Sequence, residues 1–503
     1  LNATSLPGFW RPALLLVALV ILAAVPQAAL LPLLDRDEPR FAEASREMLE
    51  SRNFVVPTFN YAPRYAKPPL IYWAQAASFL VLGENAFAAR LPSLLAVAGT
   101  ALLLLVWGRA LGSHEAGLIA ALAYAFCLQV MQQGRVATAD ALLIFWMTLT
   151  GFAGWRMLDL VRTGLGSWNL WGLILALGFA GGFLAKGPEA LLPIVPILIS
   201  ARWLGWRGVV SFVLILALGM LLVSAWAIPA YVQTHGDYWR EGLGHDVGDR
   251  MVTGFQGHGA STVGAYLLTL PLYFLTFWLS ALPWSPLAAL HARRLVRAAP
   301  ADWTDRYLLG NAALIFVVFS LVVTKLPHYT LPAFPVLALL FGRRWMAAGL
   351  APRLPLRALI VVALSFSLLA FSVPLLSSRG FNPSPARELV REAQGDLKAG
   401  TRVVTVDFPE PSTVWEMRRI VLLPVDQISP DAVADSLNKP GSRAVLLTRQ
   451  MWDKLARDET NLKIYEAHGF NTAHPVDFHG WPHVVPLDLV LVINTQSSVL
   501  TAR

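Results

Sequence analysis

The chain has 503 residues, of which 56% are hydrophobic and only 14% charged, a balance that excludes a soluble globular protein and points to a membrane protein. The formal net charge of +8 is not a nucleic-acid signature, because Lys and Arg collect in short loops between apolar runs, where they act as topology signals. Cys127 is the only cysteine and lies within an apolar run, which excludes a disulfide framework and a thiolate metal site.

A membrane-spanning helix needs about 20 mostly apolar residues. Taken in chain order, the stretches 12–34, 88–108, 115–134, 141–161, 168–185, 187–203, 208–232, 262–288, 306–324, 327–342 and 357–377 predict about eleven spans. The first run has one leading charge, Arg11, and is too long for a cleaved secretory signal, so it is expected to persist as a span. With a cytoplasmic N-terminus, Arg109, Arg162, Arg202 with Arg207, Arg293-Arg294-Arg297, and Arg343-Arg344 with Arg353 and Arg357 all face the cytoplasm. The apolar piece Pro69 to Leu82 would invert that pattern if it crossed. It is too short to do so and is expected to lie at the outer surface as an amphipathic or re-entrant helix, with Tyr72 and Trp73 at the interface. Residues 35–87 then form one outer platform, roofed by helices at 39–52 and 69–82.

Residues 1–378 thus read as a transmembrane domain. In the tail, 379–503, charges return and apolar runs shrink to strand length at Val403–Val406, Ile420–Leu423, Ala444–Leu447 and Leu487–Ile493, with a helical pattern at 386–397. A small extracytoplasmic α/β domain is expected there, joined through the Gly- and Pro-containing stretch Ser378–Ser384.

The first outer loop opens Asp35-Arg36-Asp37-Glu38-Pro39-Arg40 where span one ends, and its carboxylates alternate with cations at the membrane surface. Asp37 and Glu38 are adjacent, so they point in different directions and suit different roles, one as general base and the other as orienter or ion-pair partner. The alternative is a solvated helix start with Pro39 in the first turn.

The ordered set Asp37-Glu38-x-Arg40-Phe41-Ala42-Glu43, Arg46-Glu47-Met48, Lys67-Pro68-Pro69-Leu70-x-Tyr72-Trp73, Ala89-Arg90-Leu91-Pro92-Ser93, Arg135 to Asp140, Ala185-Lys186-Gly187-Pro188 and Lys325-Leu326-Pro327-His328-Tyr329 resembles the aminoarabinose transferase (ArnT)-like family. These are C-type glycosyltransferases related to the protein O-mannosyltransferases, and the likeness covers most of residues 1–345. The resemblance implies a polyprenyl-phosphate sugar donor, inversion at the anomeric carbon, and an acid–base aspartate in the first outer loop, which by position is Asp37. Nucleotide sugars are not normally present outside the inner membrane, so a transferase working there needs a donor delivered through the bilayer.

A phosphate leaving group calls for preorganised cations rather than a proton donor, and Lys67, Arg250 and Lys325 are the candidates. Lys67 precedes Pro68 and Pro69, which restrict its backbone to extended geometry. Lipid headgroup binding is the competing role for all three. Asp140 is a second acid or acceptor-binding candidate beside Glu38. Arg40, Arg64, Tyr65, Arg135, Lys186, His245, His258, His328 and Tyr329 are candidates to line the same cavity. Histidines in the outer loops could gather a divalent cation, but the family's Glu before Lys-Pro-Pro is Ala66 here. That departure weakens a metal and leaves no cofactor required; it also loosens the expectation of aminoarabinose as the sugar.

The expected protein is therefore a multi-pass bacterial inner-membrane enzyme with a periplasmic active site. It moves a monosaccharide from polyprenyl phosphate to a lipid A, lipopolysaccharide-type or other glycan acceptor, with membrane lipids as its surroundings and no nucleic-acid partner. Protein O-glycosylation on the same scaffold, and a lipid-sugar flippase, remain alternatives. The flippase predicts ionisable residues deep within spans and paired broken helices, whereas the informative charges here collect at the outer interface.

Overall fold

A computed structural model describes residues 7–164, 169–201, 205–242, 244, 262–298, 302–351, 361, 365, 368, 382–455, 462–472, 476–477 and 483–494. The chain opens with α1 (Pro7–Leu30), α2 (Asp37–Ser51), a hairpin of β1 (Thr58–Phe59) and β2 (Ala62–Pro63), α3 (Leu70–Leu82), α4 (Ala86–Ala110), α5 (His114–Ala125) and α6 (Leu128–Gln133). It continues through α7 (Asp140–Thr163), α8 (Asn169–Lys186), α9 (Ile194–Ala201) and α10 (Gly205–Gln233). Asn85 and Ser113 cap α4 and α5 by accepting the backbone N–H of Ala88 and Ala116. A Cβ on Gly108 would lie 2.2 Å from the Cα of Gly117, so glycine at both positions is what lets the backbones of α4 and α5 touch.

Six helical stretches among the described residues are long and apolar enough to cross a membrane: Arg11–Leu30, Ala86–Ala110, Asp140–Thr163, Gly205–Gln233, Trp303–Leu321 and, interrupted by a turn at Leu270–Pro271, Val263–Ser280. Several of the eleven expected spans are broken instead. The run 115–134 divides at Phe126 and Cys127, and the Leu128 N–H freed by the break donates to the Leu282 carbonyl at 2.8 Å, as an apolar surrounding demands. Prolines divide others. The run 262–288 becomes Val263–Thr269, Leu272–Ser280 and Trp284–Leu290 around Pro271 and Pro283, while 187–203 and 327–342 begin as 3-10 turns at Pro188 and Pro327. The run 357–377 lies almost wholly outside the described residues.

The bundle has two chemically distinct ends. α7 and α8 run antiparallel, so Asp140 and Lys186 meet at one end, while Arg162, at the far end of α7, lies 4.9 Å from the Trp303 ring. At that far end Arg343 bridges Asp302 and Asp305, and Arg344 also pairs with Asp305. At about 1.5 Å per residue, α7 separates the two clusters by roughly 36 Å.

α2 and α3 lie across the Asp140 end. The side chain of Gln75, fully buried in α3, accepts from the Ser45 hydroxyl of α2 and donates to the Ala89 carbonyl of α4. One amide thus locks three helices together. α3 is 13 residues long, with Leu80 and Val81 exposed.

From residue 382 onward the chain forms a five-stranded sheet ordered β4-β3-β5-β9-β6. Its strands are β3 (Arg402–Thr405), β4 (Asp426–Gln427), β5 (Arg443–Thr448), β6 (Leu462–Phe470) and β9 (Pro486–Asn494), and β7 (Val476–Asp477) with β8 (His483–Val484) forms a separate pair. β3 is parallel to β4 and β5, and β9 is antiparallel to β5 and β6. The run Ile420–Leu423 is not a strand. It leaves the helix Pro411–Met417 as a turn held by Leu422 N–H to the Ala399 carbonyl, and Leu422 is exposed. The nine-residue β6 was unforeseen, because Lys463, Glu466 and His468 interrupt its apolar pattern. The linker stretch 378–384 lies mostly outside the described residues.

Candidate active site

Asp37 is the first residue of α2 and is exposed. Its neighbour Glu38 turns the opposite way and is 3% exposed. The Glu38 carboxylate receives two Arg90 bonds, each 2.7 Å, together with the N–H groups of Leu34 at 3.0 Å and Ala137 at 2.9 Å. Arg90 spends its remaining donors on the carbonyls of Ala28, Leu31 and Pro32. Every strong acceptor of Glu38 is therefore taken, which corrects its assignment as a second acid or acceptor-binding group: it is the pin joining α1, α2, α4 and the loop before α7. Arg135 lies beside that pin, and burial together with the Arg90 charge lowers the pKa of its guanidinium to about 10.

Arg40 faces Asp37 and Arg64, and burial with the Arg64 charge lowers its pKa. Arg64 lies 5.3 Å from the Phe41 ring and donates to the Tyr72 hydroxyl at 3.2 Å. Arg40 thus stands between the acid and Arg64 on the platform.

Lys67 and Lys186 line one pocket with Tyr65, Phe183, Trp226, Tyr238 and Trp239, enclosing about 390 Å³ including its open mouth. The Tyr238 hydroxyl holds the Lys67 carbonyl at 2.6 Å, and the Lys67 ammonium donates to the Ala66 carbonyl at 2.9 Å. Tyr65 packs on Tyr238 at 5.2 Å and Trp226 on Tyr238 at 5.3 Å. Gly187 adopts φ +86°, the turn that sends the chain away just after Lys186.

Lys186 is held by Asp140 at 2.8 Å and Glu189 at 3.5 Å, and its ammonium stands 5.4 Å from the Tyr329 ring. Thr138 donates to the other Asp140 oxygen at 3.1 Å. His328 packs edge-on against Tyr329 at 5.2 Å and lies close enough to act on the Asp140 charge. Asp140, Lys186, His328 and Tyr329 therefore form one cluster opening on the Lys67 pocket.

Lys325 is placed differently. Its ammonium bonds the carbonyls of Phe319, Ser320 and Val322 and faces the Tyr266 and Tyr273 rings. It caps the helix Trp303–Leu321 and is not among the residues lining the Lys67–Lys186 pocket. Arg250, His245 and His258 lie outside the described residues. Among the described residues no three His, Cys, Asp or Glu side chains converge as a metal site.

Sequence reasoning did not assign Phe183, Trp226, Tyr238 and Trp239 to the pocket, although Trp and Tyr at a span end are the usual sign of an interface wall. It also left Glu38 and Arg90 unpaired.

Residues 11–239 match the dolichyl-phosphate-mannose-protein mannosyltransferase family. The chain is 34% identical over 315 residues to an undecaprenyl phosphate-alpha-4-amino-4-deoxy-L-arabinose arabinosyl transferase of Pseudomonas aeruginosa, covering 61% of this chain and 54% of that protein. An arabinosyl transferase of the same name from Edwardsiella ictaluri is 32% identical over 311 residues, with the same coverage. The crystal structure of ArnT from Cupriavidus metallidurans bound to undecaprenyl phosphate superposes with a TM-score of 0.72 at 17% identity, covering 97% of this chain and 99% of that one. Over these segments the chain is similar to the ArnT-like C-type glycosyltransferases, and it shares their fold. It spans about half the length of the curated arabinosyl transferases it matches. The fold match extends past the matched family segment into the C-terminal sheet, since it covers nearly the whole chain.

Proposed function

We infer that this protein transfers a monosaccharide from a polyprenyl phosphate to a glycolipid or glycan acceptor of the lipid A or lipopolysaccharide type, at the periplasmic face of the bacterial inner membrane. The observation that carries the reading is the single pocket into which Lys67 and Lys186 converge between aromatic walls. Two cations there suit a phosphate whose charge grows as the sugar leaves, and the apolar faces of the neighbouring helices suit its polyprenyl tail.

In this mechanism the bond between the sugar C1 and the phosphate oxygen breaks while an acceptor oxygen bonds C1 from the opposite face, inverting the centre. The polyprenyl phosphate departs with the electron pair. A hydroxyl acceptor gives its proton to the Asp37 carboxylate; an ionised phosphate acceptor needs Asp37, with Arg40 and Arg64, only for orientation. Asp140 holds Lys186 in place. No step requires a divalent cation, and EDTA is expected to leave the rate unchanged.

The test is reconstitution of wild type and Asp37→Asn with polyprenyl-phosphate sugars and a membrane glycolipid fraction, followed by mass spectrometry of the products. Transfer by wild type and its loss in a folded Asp37→Asn protein are expected. Full activity of Asp37→Asn would sink the acid–base role. Movement of lipid-linked sugar across vesicles without transfer would replace the reading with a flippase.

A further inference from the structure

The helix that carries Asp37 has no side-chain cap of its own at its N-terminus, and the residues that hold it come from far along the chain. At its entry, the Asp35 carboxylate accepts the Ser412 N–H at 2.8 Å, the Asp35 N–H reaches the Thr472 hydroxyl at 3.3 Å, and Arg36 pairs with Glu410 at 3.3 Å. Along its body, Arg418 enters as a fully buried cation, 3.5 Å from Glu43 and 3.0 Å from Glu50. The Arg418 guanidinium also lies 4.2 Å from the Tyr61 ring. Tyr61 and Asn60 form the tip of the β1–β2 hairpin, both with positive φ. The tip is fixed by Tyr61 N–H to Glu47 and by reciprocal bonds between Asn60 and Val425 at 2.8 and 2.9 Å.

These contacts bracket Asp37: residues 35 and 36 on one side, 43 and 50 on the other, all engaged by the segment 410–425. A sheet that merely covered the site would need no charge buried this deeply, because desolvating a guanidinium is costly unless its partners are rigidly placed. We propose that Arg418, together with the Asp35–Ser412 bond, is the positioning device of the reaction: the C-terminal segment sets the angle and depth at which α2 presents the Asp37 carboxylate to the acceptor. The inference rests on the reading of Asp37 as the acid–base group. Arg418 touches no reacting atom. Its effect passes through the orientation of α2, and it leaves the Lys67–Lys186 pocket unaltered, because none of the residues it contacts lines that pocket.

The experiment compares full-length wild type, Arg418→Met, Asp35→Ala, Asp35→Asn and Asp37→Asn for kcat, for KM of the polyprenyl-phosphate sugar, for binding of polyprenyl phosphate alone, and for thermal midpoint. Arg418→Met and Asp35→Ala are expected to lower kcat on the order of 10- to 100-fold, as a misplacement near 1 Å does, with KM and polyprenyl phosphate affinity within about twofold of wild type. Asp35→Asn, whose Oδ1 still accepts the Ser412 N–H, is expected to keep most of the activity. Undiminished kcat in a folded Arg418→Met protein overturns the proposal, as does equal loss in Asp35→Asn and Asp35→Ala. Should Arg418→Met not fold, the Asp35 pair decides alone. Full activity of Asp37→Asn removes the acid–base reading itself, a result distinct from an inactive Asp37→Asn beside a fully active Arg418→Met.

Discussion

Two buried carboxylate–cation pairs adjoin the short stretch from Ala137 to Asp140, and they are built for opposite purposes. Glu38 and Arg90 are closed: two mutual bonds, two backbone N–H groups and three backbone carbonyls consume their capacity. Lys186 and Asp140 are open. The ammonium is shared between Asp140 and Glu189 at unequal distances, 2.8 and 3.5 Å, and still lines a pocket. A saturated pair can only hold a fold together, whereas a lysine with three donors and two carboxylate partners retains one direction for a ligand.

Breaking the closed pair gives the largest expected effect. Arg90→Met strands the Glu38 carboxylate in the interior and should cost about 3–5 kcal/mol of stability, read as a collapse of the thermal midpoint in detergent. A folded Arg90→Met protein with normal stability and lost transfer would erase the distinction between the two pairs.

Opening the second pair further should separate stability from activity. Lys186→Met leaves Asp140 without its cation and is expected to lower both. Adding Asp140→Asn should restore much of the thermal midpoint while transfer stays down by at least about tenfold, because the phosphate has lost a positive partner. Recovery of transfer together with stability would make this pair structural as well.

Asp35 supplies the smallest effect. Burial, opposed by the Ser412 bonds and reinforced by Glu410, raises its carboxyl from 3.8 to about 6. A raised folded-state pKa means that the folded protein holds the proton more tightly. This contribution to stability is present below about pH 4 and fades as pH rises through about 6. Asp35→Asn should remove that decline, at most about 3 kcal/mol, so unfolding midpoints of the two proteins should diverge from pH 4 to pH 7. Parallel curves would show that Asp35 titrates normally. Glu43, raised to about 7 by burial against the opposing pull of Arg46 and Arg418, is common to both proteins and cancels in the difference.

The legible part of the molecule was the part written in local chemistry. Apolar run length announced a membrane protein, and the shortness of Leu70–Leu82 distinguished it from the longer helices. The ordered motifs placed Asp37, Lys67 and Lys186 as candidates, and two of the three line one pocket. Less legible were the breaks at Phe126 and Pro271. An apolar run does not report whether a neighbour such as Leu282 will take up the backbone group that a break frees. Ile420–Leu423 read as a strand because strand-like composition carries no information about a hydrogen-bonding partner.

Composition and spacing by themselves determined that this chain carries apolar helices of membrane-crossing length and which ionisable residues stand at helix ends, because hydropathy acts within a few residues of itself. Tertiary structure alone decided that Glu38 faces Arg90 and Asp37 does not, that Lys325 caps a helix while Lys186 opens on a pocket, and that Arg418 reaches back to the helix of Asp37. Each of those outcomes depends on which distant group satisfies a charge taken out of water, and sequence separation says nothing about that distance.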